Sequence, residues 1–174
     1  MDAAKRLYRQ AMEWLYIACI GLAGVVMLVM TIIIPYGVFM RYAMNSPSSW
    51  PEPAGILLMV VFAFMGGAAA YRARAHIAVT TFINMLGDTN RRRVEHVAEI
   101  GMGIIALFMM KWGYLLVEAT WHNTIAEFPS LPTGATYLPI PIAGFVTLLF
   151  VIERMWLGDA PADSFTFRDQ PQSE

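Results

Sequence analysis

Lys111 is the one charge standing well inside an apolar run of this chain, and Glu118, seven residues on, shares its helical face. An ammonium within a bilayer calls for a partner, for a stem that snorkels to the surface, or for an interface with another subunit or lipid. All three uses stay open at this point. The other chemically useful groups lie far apart. His76 and His96 flank a hydrophilic middle segment, while His122 follows the third apolar run. Residues 96 and 122 would be separated by about 39 Å of helix, so no two histidines share a depth suited to a haem or metal. One cysteine, Cys19, excludes dithiol redox chemistry and a cysteine metal cage within a single chain. Glu52, Glu99 and Glu118 fall near the edges of apolar runs, away from the depth at which a proton-exchanging carboxylate is needed. No catalytic residue, metal ligand, substrate site or cofactor is expected in this chain, and it is not expected to be an enzyme.

These groups hang on four long apolar stretches within 174 residues. A bilayer core about 30 Å thick needs roughly 20 mostly apolar residues per helix. Helices are the expected spans, because a closed barrel would show short alternating strands and the chain shows none. The expected fold is an all-α integral membrane bundle of four transmembrane helices, at about 14–40, 53–71, 97–119 and 131–156, within a domain covering 14–156. The first run is too long for the apolar part of a signal peptide and is read as a retained anchor. Residues 1–13 form a juxtamembrane segment, and the polar tail 157–174 reads as disordered.

Basic residues gather at Lys5, Arg6 and Arg9, at Arg72, Arg74, Arg91, Arg92 and Arg93, and at Arg154, which predicts cytoplasmic termini. Trp14, Trp50, Trp121 and Trp156 each stand at the edge of a span, where amphipathic rings settle. Between the second and third spans, Val79, Phe82, Ile83 and Leu86 follow helical spacing opposite His76, Thr80 and Asn84. A short cytoplasmic interfacial amphipathic helix is therefore expected at about 76–87. Arg91, Arg92 and Arg93 beside it would meet anionic phospholipid headgroups. With a net charge of -1 and no basic face, nucleic acid is not an expected partner.

In the second span Ala63 and Gly67, and Gly66 and Ala70, are pairs four apart that let another helix backbone come close, so they are candidate subunit-interface residues together with Lys111. Ser49 with Glu52 three residues on resembles a capping box, which starts that helix near Pro51 and Pro53 and makes Glu52 a cap. Pro139 and Pro141 predict a kinked or broken fourth helix, because Pro141 to Trp156 gives only about 24 Å of helix. Thr133 or Ser130 is the expected cap.

Taken in order, Arg41 and Tyr42 ending the first span, Trp50 and Glu52 opening the second, and Gly66-Gly67-Ala68-Ala69 within it form a series. Arg72, Arg74, His76-Ile77-Ala78-Val79 and the proline-bearing start of the fourth helix continue it. This series resembles the small (Q-type) membrane subunit of tripartite ATP-independent periplasmic (TRAP) transporters, over about residues 14–156. The chain departs from the pattern where the family often has two adjacent acids after the tryptophan and an aspartate after the His-Ile-x-Val stretch; here stand Pro51-Glu52-Pro53 and Thr80. The resemblance implies a bacterial inner-membrane scaffold subunit that braces a large membrane subunit. That partner would carry the sodium and organic-acid sites and receive solute from a periplasmic binding protein in transient contact. Two other classes fit a small four-helix membrane protein: the anchor of a redox enzyme and a stand-alone exporter.

Overall fold

The computed structural model describes residues 3–74 and 88–158. They form α1 (Ala3–Tyr42), α2 (Pro51–Arg72), α3 (Asp88–Thr120), a hairpin of β1 (Thr124–Ile125) and β2 (Phe128–Pro132), α4 (Thr133–Tyr137) and α5 (Pro139–Leu157). Four helical stretches are long and apolar enough to cross a bilayer: Ala3–Tyr42, Pro51–Arg72, Arg93–Thr120 and Thr133–Leu157. The expected 76–87 amphipathic helix with His76, the side chains of Arg91 and Arg92, and the tail beyond Gly158 lie outside the described residues.

The helices outrun the apolar runs that announce them. α1 is 40 residues long, about 60 Å, and already begins at Ala3. Residues 3–13 contain no Pro or Gly to stop the helix, and they pack on α5: the Tyr8 hydroxyl donates to the Leu149 carbonyl at 3.1 Å and Arg9 Nη2 to the Leu157 carbonyl at 3.1 Å. Both termini of the described chain therefore sit at one end of the bundle, here the terminal end. The opposite, hairpin end carries β1 and β2.

The core is built from Met12, Tyr16 and Cys19 of α1, Ala68 and Ala69 of α2, and Val146 and Phe150 of α5. α5 touches all three other long helices. α1 and α2 meet through small residues: a Cβ on Gly37 would lie 2.9 Å from the Pro51 Cβ, and one on Gly55 3.5 Å from Ile34. α3 meets α5 the same way, with Gly113 against Pro141 and Gly144 against the Ala106 carbonyl. Lipid gives little hydrophobic reward for helix association, so close backbone approach carries the contact.

Three expectations about helix ends are corrected. Trp50 caps α2 with helical dihedrals and no side-chain cap bond, so Ser49 and Glu52 form no capping box. The fourth span does not begin at 131, because residues 128–132 pair as β2 with β1, and Thr133 N–H closes the hairpin on the Asn123 carbonyl at 2.7 Å. Pro132, rather than Thr133 or Ser130, stands at the cap of α4. The break itself falls at Leu138: Pro139 has no N–H for the Ala135 carbonyl, which takes the Leu138 N–H at 3.4 Å instead.

Candidate functional site

Charge inside this bundle is concentrated in one layer at the terminal end. Arg72, the last residue of α2, forks onto Glu153 of α5: Nε donates to Oε2 at 2.8 Å and Nη2 to Oε1 at 2.9 Å. The two side chains are 4% and 5% exposed. The guanidinium also lies 5.3 Å from the Tyr16 ring centroid and 5.5 Å from that of Phe150, within cation–π range of both. One residue along, Arg154 pairs with Glu99 of α3 at 2.8 Å. Together the two pairs tie α2, α5 and α3 at one level. The bidentate fork fixes direction as well as distance. Buried polar side chains among the described residues are Arg72, Glu99, Glu153 and Thr147, so three of the four belong to this layer.

The small residues of α2 divide between two jobs. Ala68 and Ala69 are in the core, and Gly66 faces Ala23 of α1, where an added Cβ would sit at 3.8 Å. Ala63 and Gly67 point outward, with open space around Gly67, and Ala70 is half-buried. Gly66→Leu should push α1 from α2 and destabilise the purified chain by about 1–3 kcal/mol. Gly67→Leu should leave its thermal midpoint in detergent unchanged.

Lys111 also points outward, with its Nζ 5.7 Å from the Trp112 ring centroid. Among the described residues it makes no ion pair, with Glu118 or otherwise. It lies about 18 Å along the helix from Glu99 and about 14 Å from Thr120, and its neighbour Gly113 packs on Pro141. Glu99 and Thr120 are thus separated by roughly the thickness of a bilayer core, and Lys111 stands between them.

Residues 30–160 match the model of the tripartite ATP-independent periplasmic transporters, DctQ component. The chain belongs to this DctQ family. It is also 28% identical, over 147 residues, to a protein of Haemophilus influenzae named as a TRAP transporter small permease, an alignment covering 81% of this chain and 84% of the relative. As a DctQ protein it is a transporter component and not an enzyme, and with its four apolar helices it is a multi-pass protein of a bacterial inner membrane.

The DctQ motif residues separate into two places. At the hairpin end Arg41 meets Glu52 at 3.3 Å, with side chains 53% and 74% exposed. Tyr42 beside them is exposed, and Trp50 packs on Tyr36 with ring centroids 5.9 Å apart. At the terminal end, Arg72 is in the buried layer, and Arg74, two residues past the end of α2, has a left-handed φ of 52°. Trp14 and Trp156 are exposed at that end, where Trp156 meets Tyr8, and Trp121 is exposed at the hairpin end. Arg93 is exposed on the part of α3 that runs beyond the ion-pair layer.

Sequence reasoning missed Glu153. Glu153 lies inside the expected 131–156 helix but was not singled out, and Arg72 and Arg154 were read as topology signals. The available clue was spacing: Val146, Phe150 and Glu153 fall on one helical face, and that face is the core.

Proposed function

We propose that this chain is the small scaffold subunit of a sodium-coupled TRAP transporter. In this reading the transporter imports an organic acid delivered by a periplasmic binding protein, and the small subunit's work is to brace the large membrane subunit. The observation that carries it is the make-up of the interior. A transporter holds solute and ions near mid-depth with polar groups and broken helices. Here the buried charges are locked in ion pairs at one end, and the interior beyond them is packed with apolar residues such as Ala23, Val26, Ala106 and Ala143. Solute and sodium sites therefore belong to the large subunit.

The distribution of charge supports an orientation. Lys5, Arg6, Arg9, Arg72, Arg74, Arg93 and Arg154 lie at the terminal end, against Arg41 at the hairpin end. Positive residues remain cytoplasmic, so the termini face the cytoplasm. The hairpin, with the exposed Arg41–Glu52 pair, faces the periplasm, where the binding protein arrives.

Reconstitution checks the division of labour. Proteoliposomes containing the large subunit, this chain and the binding protein should take up solute on an inward sodium gradient, and omission of this chain should abolish uptake. Uptake by this chain alone would overturn the reading.

A further inference from the structure

We propose that the outward face of α3, centred on Lys111, docks against a membrane-embedded Asp or Glu of the large subunit. The inference rests on the scaffold reading above and names the contact through which bracing acts. Three observations converge on it.

The first is depth together with direction. Lys111 is exposed, and it stands about midway along α3 between the Glu99 layer and Thr120. Long basic side chains snorkel from positions near helix ends, but this one has about 14 Å of helix above it and about 18 Å to the ion-pair layer below. The second is the absence of an internal neutralising group: among the described residues the ammonium has the Trp112 ring and no carboxylate. In hydrocarbon an aromatic face is a weak substitute for a counter-charge. The third is the surface around it. Val97, Ile104, Phe108 and Leu115 continue the Lys111 stripe at helical spacing and are all exposed, with Trp112 beside them, its ring tilted against that of Phe108 with centroids 5.9 Å apart. α3 packs on α5 and α4 with its opposite side.

A large apolar stripe with one central cation fits a helix that offers one carboxylate in an otherwise apolar face. Phospholipid offers only tails at this depth, so a headgroup phosphate cannot supply the charge. The binding protein is excluded on the same ground. The large subunit is the partner that reaches mid-bilayer.

The test compares two readouts on the same variants: the thermal midpoint of the chain purified alone in detergent, and the amount of tagged large subunit that co-purifies when the two are expressed together. Lys111→Met should leave the isolated chain unchanged or more stable, because a charge leaves the apolar belt. It should weaken the complex by about thirtyfold or more, because the partner's carboxylate loses its counter-charge. Lys111→Arg should retain the complex, and Lys111→Glu should abolish it. Replacing the partnering Asp or Glu of the large subunit with Lys should then restore assembly of Lys111→Glu. Wild-type levels of complex with Lys111→Met and Lys111→Glu would overturn the inference while leaving the scaffold reading intact. Failure of the wild-type chain to co-purify the large subunit would instead overturn the scaffold reading.

Discussion

Glu153→Ala is expected to destabilise the isolated chain by about 3–5 kcal/mol, and Arg72→Ala by a similar amount. SDS titration of the purified protein, followed by tryptophan fluorescence, measures both. The size of the effect comes from burial. Each side chain is about 5% exposed or less, and two hydrogen bonds of 2.8 and 2.9 Å join them. Removing Glu153 leaves a buried guanidinium without that carboxylate, against Tyr16 and Phe150. Removing both charges is a different experiment. The double variant Arg72→Met, Glu153→Leu should recover most of the loss, because apolar groups of similar volume need no counter-charge. The exposed pair supplies the contrast: Glu52→Gln should change stability by no more than about 1 kcal/mol, since Arg41 and Glu52 are open to solvent.

If the pair is dispensable for stability when replaced as a unit, its value lies in register. Helices in lipid gain little from hydrophobic burial, so α2 and α5 could slide by a turn with small penalty. The Arg72–Glu153 fork and the adjacent Arg154–Glu99 pair make one register unique. Spin labels on α2 and α5 should therefore report a broader distance distribution in the double apolar variant than in the wild type.

The four spans were legible because bilayer thickness imposes a length of apolar chain that few other structures need. The ends were less so. Hydropathy marks where a helix is greasy, not where it stops, and residues 3–13 continue α1 because Tyr8 and Arg9 find partners on α5. The small hairpin escaped notice since β1 is two residues long and β2 contains Pro129 and Pro132, a composition that argues against a strand. The capping box failed for a local reason: Trp50 already adopts helical dihedrals, and Glu52 is turned toward Arg41. At the candidate site, Lys111 was visible as a charge in an apolar run. Its outward direction was not, because that depends on which side of α3 packs on α5. Gly66 and Gly67 illustrate the same gap, since adjacent residues of one motif face different surroundings.

The stagger of α3 against α4 and α5 is itself held by glycine, and Gly144→Ala and Gly134→Ala are expected to disturb it. A Cβ on Gly144 would lie 2.9 Å from the Ala106 carbonyl oxygen and 3.0 Å from the Met109 Cβ. On Gly134 it would lie 2.5 Å from the Val117 carbonyl oxygen and 2.9 Å from the Trp121 Cα. Three of these four neighbours are backbone atoms of α3 or of the turn that follows it, which cannot rotate aside, so α3 must move away from α4 and α5. The overpacking should cost about 1–3 kcal/mol at Gly144 and at least the top of that range at Gly134. Gly21→Ala and Gly24→Ala have nothing within 4 Å of the new methyl. They should gain up to about 1 kcal/mol from helix propensity, which makes them internal controls in the same titration. The two seam variants separate packing from docking as well. Gly144 lies on the side of the seam opposite the Lys111 face, yet shifting α3 moves that face relative to the rest of the bundle. Gly144→Ala should therefore lower co-purification of the large subunit together with stability, whereas Lys111→Met should lower co-purification alone.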